Sequence, residues 1–186
     1  MGKEIFYDCD TLTDVKLGTG INKIPDSAFE DCDKLAFIVL PYRVESIGNY
    51  AFKNDVALTE VTIPRATTSI SSSAFSYFDK MTIYGIPGTY AETYAKENGI
   101  KFLAKDVKAT KATLDKNELT INNGYRHTLK LSVEPEDFTD EVTWKSTNTD
   151  VITVDDNGLV NAKNTGSATI KVVVGEQSTT CAVKVV

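Results

Sequence analysis

Any chemistry in this 186-residue sequence would have to come from one histidine, three cysteines and 26 carboxylates. His127 stands beside the alternating stretch Thr128 to Val133 with no cysteine or second histidine near it. General-base or metal chemistry needs partners within hydrogen-bond or ligand reach, so His127 reads as a strand-end residue. Cys9, Cys32 and Cys181 are odd in number and too far apart for a C-x-x-C metal or redox motif. Asp155-Asp156-Asn157-Gly158 offers oxygens, but a calcium loop needs ligands at alternate positions, and Leu159 and Val160 break that spacing. A hairpin turn is the better reading. Asp8 with Asp10, and Asp31 with Asp33, could form a ladder of ligands; they read instead as a solvated loop. No nucleophile, base and orienting group occur together, so no catalytic residue, cofactor or metal is expected.

The elements that carry these residues follow from periodicity. Sliding the chain on itself by 23 positions brings Phe6, Phe29, Phe52 and Phe75 into one column, with Ala28, Ala51 and Ala74 before the last three. Leu12, Leu35, Leu58 and Met81 form a second column, Val15, Ile38 and Val61 a third, and Leu17, Leu40, Ile63 and Ile86 a fourth. Pro41, Pro64 and Pro87 follow, and Ile24, Ile47 and Ile70 precede the next Ala-Phe. A unit this short cannot bury its own apolar face, so such units stack and share one core. The Leu-x-x-Val-x-Leu part alternates with period two, which predicts a short strand per coil and a parallel ladder along the stack. The Ile-x-x-x-Ala-Phe part predicts a turn with one helical turn. After Pro87, Thr89 with Glu92 has the spacing of a capping box and Gly99 that of a helix stop, which predicts a helix over Tyr90 to Asn98 that caps the solenoid.

The pattern Ala-Phe-x-x-Cys-x-x-Leu-x-x-Val-x-Ile-Pro-x-x-Val-x-x-Ile, met best by Ala28 to Ile47, resembles the BspA-type leucine-rich repeat of bacterial surface proteins. The resemblance covers residues 5 to 103. The third coil departs from it, with Asp55 in the cysteine column and Thr67 in the column of Ile21 and Val44, which predicts looser packing there.

Past Phe102 the pattern changes. Leu129, Leu131 and Val133 alternate with polar neighbours, as do Ala168, Ile170 and Val172, then Cys181, Val183 and Val185, with turn signals such as Asn123-Gly124 and Asn164-Thr165-Gly166 between. Short strands at this spacing predict an antiparallel sandwich. Val142 to Ser146, Asp150 to Ala162 and Gly166 to Ile170 resemble the group 2 bacterial immunoglobulin-like domain, which implies that Trp144 fills the core between the sheets. The expected architecture is therefore mainly β with two domains. Residues 1–104 form a leucine-rich-repeat solenoid with a C-terminal helical cap, and residues 105–186 an immunoglobulin-like β-sandwich.

Formal net charge is −6, split as −4 over residues 1 to 104 and −2 over 105 to 186. Acidic and basic residues are interleaved in both parts, so no basic footprint for nucleic acid exists. No apolar run approaches the ~20 residues that span a bilayer, so membrane insertion is not expected. Met1-Gly2-Lys3-Glu4 lacks the apolar centre of a secretory leader and reads as a scar on a piece of a longer parent.

If Val15, Leu17 and their equivalents point inward, Asp14 and Lys16, Phe37 and Val39, and Glu60 and Thr62 point outward. That is an apolar centre with a polar rim, the anatomy of a protein-binding surface. Cys9 and Cys32 share an interior column and are expected as free thiols. The resemblances imply a non-catalytic, extracellular or cell-surface adhesion module, with the solenoid binding a protein on a host or neighbouring cell, or weakly a second copy, and the sandwich as spacer. The alternative is a pair of accessory modules, the sandwich contacting glycan, in a larger secreted enzyme.

Overall fold

The 23-residue offset is a physical translation: the rings of Phe6, Phe29, Phe52 and Phe75 stack at centroid separations of 5.1, 5.2 and 5.2 Å, tilted by no more than 13°. The computed structural model describes residues 2–77 and 80–186, so the expectation placed on Met1 lies outside the described residues. The chain divides into two units, Met1–Asp106 and Val107–Val186.

Two parallel ladders run along the first unit. Its strands are β1 (Lys23–Ile24), β2 (Phe37–Val39), β3 (Ser46–Ile47), β4 (Glu60–Thr62), β5 (Ser69–Ile70) and β6 (Thr82–Gly85). β1, β3 and β5 form one ladder, with Ile24, Ile47 and Ile70 as a buried column. β2, β4 and β6 form the other, with Ile38, Val61 and Ile83 buried in line. The strands are short because each coil turns after two to four residues, and their stability comes from stacking apolar columns.

At the Ala-Phe corner, where one helical turn was predicted, the backbone bonds to the next coil instead. The N–H groups of Phe6, Phe29 and Phe52 donate to the carbonyls of Ala28, Ala51 and Ala74 at 2.9, 2.9 and 2.8 Å, and those of Asp8, Asp31 and Asn54 to Glu30, Lys53 and Ser76. Left-handed residues recur here, at Glu4, Ser27 and Tyr50 and at Asp8, Asp31, Asn54 and Tyr77, with φ between 52° and 65°. They turn successive N–H groups along the stack, and this corner becomes a third line of inter-coil bonds.

The last coil is one residue shorter than the offset predicts. Val61 pairs with Ile83 and Thr62 with Tyr84, so Gly85 and not Ile86 follows in the column of Ile63. A Cβ on Gly85 would stand 3.2 Å from the Phe102 ring and 3.3 Å from the Ile63 carbonyl oxygen, so the missing side chain makes room for the cap. That cap is α1 (Tyr90–Glu97), which buries Ala91, Tyr94 and Ala95, and β7 (Lys101–Ala104), which adds a fourth strand beside β6. The predicted capping box is displaced: the Glu92 carboxylate accepts from the Gly88 N–H at 2.7 Å, while the Thr89 hydroxyl donates back to the Ile86 carbonyl at 2.6 Å. Gly99, at φ 67°, ends the helix as expected.

The second unit comprises β8 (Lys111–Leu114), β9 (Glu118–Ile121), β10 (Arg126–Thr128), β11 (Leu131–Glu134), β12 (Val142–Ser146), β13 (Ile152–Val154), β14 (Leu159–Ala162), β15 (Gly166–Val174) and β16 (Gln177–Val185). One sheet has the order β12-β15-β16-β9, a second β10-β14-β13, and β8 pairs with β11. Every pairing is antiparallel except β9 with β16, where the sandwich expected to be antiparallel has a parallel edge. Trp144 is buried with Leu129, Leu131, Ile170 and Val172. Gly158 sits against it at φ 72°, and a Cβ there would lie 2.6 Å from the Leu129 carbonyl oxygen and 2.9 Å from the indole ring.

Candidate functional site: the outer face of the long ladder

Period two decides the outer face of β2-β4-β6-β7. With Ile38, Val61 and Ile83 inward, one row across the ladder is Phe37, Glu60, Thr82 and Lys101, and the next is Val39, Thr62, Tyr84 and Leu103. Phe37 is 49% exposed and Leu103 38%, while Val39, Thr62 and Tyr84 are half-buried. Phe37, Val39, Glu60 and Thr62 are thus brought together. Lys105 reaches back over this face, its Nζ donating to the Thr62 hydroxyl at 3.2 Å and standing 5.7 Å from the Tyr84 ring centroid.

Asp14 and Lys16 are placed differently. They are exposed and alternate with half-buried Leu12, Val15 and Leu17, but residues 12–18 form no strand and do not join the ladder. Thr82, Tyr84, Lys101 and Leu103 extend the face beyond the residues found by offset. The signal for Thr82 and Tyr84 was displaced by the short last coil, and β7 lies outside the repeat altogether.

The polar residues of the third coil do not loosen it. Thr67, 1% exposed, donates its hydroxyl to the Val44 carbonyl at 2.6 Å, and Asp55, 2% exposed, accepts the Cys32 N–H at 2.8 Å. Both partners lie 23 residues back, so each polar side chain takes up a backbone group of the coil below. Burial pushes the Asp55 carboxyl up to about 8; the Cys32 N–H opposes this, and the charges of Asp31, Asp33 and Glu30 reinforce it.

All three cysteines are free thiols. Cys32 donates to the Phe6 carbonyl at 3.1 Å, and burial pushes its thiol up to about 12, which leaves it a packing residue and not a nucleophile. Asp155 closes the predicted hairpin between β13 and β14, its carboxylate accepting the N–H groups of Asn157 and Leu159 at 2.9 and 2.8 Å. Among the described residues no group of three or more His, Cys, Asp or Glu side chains is arranged to hold a metal ion. No described helix is long and apolar enough to cross a membrane.

Residues 1–99 match the BspA type Leucine rich repeat region in six copies, and residues 108–185 match the Bacterial Ig-like domain (group 2). Among solved structures, the S-layer protein rSbsC(31-844) is similar at 24% identity and a TM-score of 0.39, over 47% of this chain and 14% of that one. Domains 4 and 5 of the S-layer protein SbsC are similar at 21% identity and a TM-score of 0.37, over 47% of this chain and 57% of that one. An EHEC O157:H7 intimin mutant is similar at 23% identity and a TM-score of 0.33, over 41% of this chain and 46% of that one. The chain therefore spans less than two thirds of each of these proteins, and TM-scores this low establish no shared function. No curated protein sequence matches the chain. Both matched families are typical of cell-surface proteins and of binding or structural modules. With repeats over residues 1–99 of 186 and an Ig-like domain behind them, the chain belongs to the BspA type leucine-rich-repeat family.

Proposed function

We propose that this is a non-catalytic adhesion module displayed outside a bacterial cell, that the outer face of β2-β4-β6-β7 docks a protein on a host or neighbouring cell, and that the Ig-like domain is a spacer. The observation that carries this reading is Phe37, an aromatic ring 49% exposed on a sheet face, with Val39, Tyr84 and Leu103 beside it and Glu60, Lys101 and Lys105 around it. Aromatic residues inside a polar rim supply most of the energy of protein interfaces. On this reading Asp14 and Lys16, which lie outside the ladder, add polar contacts to the same partner.

The test is a Phe37→Glu, Val39→Lys double variant, assayed for adhesion to immobilised extracellular-matrix proteins and for self-association by sedimentation. The expected result is a melting temperature close to wild type with binding lost. Unfolding of the variant, or adhesion equal to wild type, overturns the assignment.

A further inference from the structure

One face of the second unit is positively charged although the unit as a whole is not. In β12-β15-β16-β9 the side chains of Trp144, Ile170, Val172, Cys181 and Val183 are buried, so period two turns Lys145, Lys171 and Lys184 outward, and all three are exposed. Lys145 stands directly opposite Lys171 in the antiparallel pair β12-β15, which puts their Cβ atoms about 5 Å apart. Like charges so placed repel. Glu118 is the one carboxylate at an outward position of these paired strands, and it stands opposite Ala182. The other outward positions are mostly hydroxyls, such as Thr180 opposite Lys171 and Thr120 opposite Lys184, with no aromatic ring among them. Charge, and not an apolar anchor, is what this face offers a partner.

The opposite arrangement occurs on the solenoid. Asp10 and Asp33 are equivalent residues of adjacent coils, each following a cysteine whose carbonyl accepts the N–H of Leu12 or Leu35 at 3.0 Å. Asp8 and Asp31 form the neighbouring column, and the Asp8 N–H donates to the Glu30 carbonyl at 3.0 Å, so the two loops lie side by side. Asp8 and Asp10 line a depression. Lys34 is the only cation within residues 8–14 and 31–34. Asp31 accepts from the Asn54 amide at 2.7 Å. Among the described residues, Asp8, Asp10 and Asp33 make no ion pair, nor do Lys145, Lys171 and Lys184.

One chain thus carries two surfaces of opposite sign, each repelling itself and neither neutralised. Setting one against the other relieves both repulsions, and long lysine side chains suit a concave acidic partner. The two surfaces differ, so the contact they make between copies is heterologous.

We infer that the lysine face of the Ig-like domain docks on the aspartate strip of a second copy's solenoid and joins the chains head to tail. Neither surface belongs to the ladder face. The experiment is sedimentation velocity of the full chain over a range of concentrations, in about 0.1 M and about 1 M salt, between which the Debye length falls from about 10 to about 3 Å. Wild type should associate in the first and run as a monomer in the second. The double variants Lys145→Glu, Lys171→Glu and Asp10→Lys, Asp33→Lys should each associate about ten-fold more weakly, since each sets like charge against like. Both should melt close to wild type, because all four residues are exposed. An equal mixture of the two should associate again, because the lysine face of one variant meets the untouched aspartate strip of the other. A monomeric wild type, association indifferent to salt, or a mixture that stays apart overturns the inference. Should a charge reversal unfold the chain, the neutral variants Lys145→Gln, Lys171→Gln and Asp10→Asn, Asp33→Asn decide, and association equal to wild type in both overturns it. Association through the ladder face would instead persist in high salt and respond to Phe37→Glu, Val39→Lys, so the two assignments fail separately.

Discussion

The two units bury their cores by different rules. In the solenoid the neighbour of a buried residue is the residue one repeat away: Phe29 lies between Phe6 and Phe52, Val61 pairs with Ile38, and Thr67 with the Val44 carbonyl. In the sandwich the neighbours come from unrelated offsets. β9 lies beside β16, β10 beside β14, and Trp144 against Gly158. A translation repeats one set of contacts, so a defect in one coil disturbs a column. A sandwich makes each contact once, so a defect there acts at a single place.

The largest expected effect tests the column. Phe52 is 2% exposed between two rings at 5.2 Å, so Phe52→Ala opens a cavity across a coil boundary and should cost about 3 to 5 kcal/mol in urea unfolding followed by far-UV dichroism. Trp144 is the sole tryptophan and lies in the second unit, so its fluorescence reports the sandwich. An unchanged far-UV midpoint in Phe52→Ala would break the contrast.

Next comes a single contact in the sandwich. Gly158→Ala combines left-handed backbone with a methyl group pressed on the Leu129 carbonyl and the indole ring, and should cost about 2 to 4 kcal/mol on the fluorescence transition. A midpoint within experimental error of wild type would show that the strand ends give way there.

A third effect, read against pH, concerns the polar link between coils. The Asp55 carboxyl is raised to about 8 from an ordinary 3.8, so above pH 4 the unfolded chain gives up a proton that the folded chain keeps. The contribution of Asp55 to stability is thus fully present below about pH 4, declines as pH rises towards 8, and is gone above it. Asp55→Asn, which keeps an acceptor for the Cys32 N–H and cannot ionise, should flatten that part of the profile in melting temperatures recorded from pH 4 to 9. A profile in the variant as steep as in wild type would move the titration elsewhere.

Much of the solenoid was legible because stacking converts an interval in sequence into a distance in space. The phenylalanine line and the inward faces of the ladder followed from the 23-residue offset. Gly85 did not, since a one-residue shortening in the last coil leaves the hydrophobic pattern nearly intact and shows only in the pairing of Val61 with Ile83. The Ala-Phe corner was misjudged as helical because left-handed Ser27 and Asp31 leave no hydrophobic signature, and the carbonyls that receive their neighbours' N–H groups belong to another coil. Of the candidate face, period two placed Phe37, Val39, Glu60 and Thr62. Tyr84 was hidden by the one-residue shortening of the last coil, and Leu103 needed the cap strand in place.

By itself the sequence determined the repeat, the alternation of the second unit and therefore both fold classes, because hydrophobic periodicity is a local property that burial must respect. Only the tertiary structure decided that buried Asp55 and Thr67 join coils instead of loosening them, that β9 runs parallel to β16, and that Asp14 and Lys16 stand outside the ladder. Each of these depends on which backbone group, far away along the chain, comes within hydrogen-bond reach, and a pattern of residue types carries no distances.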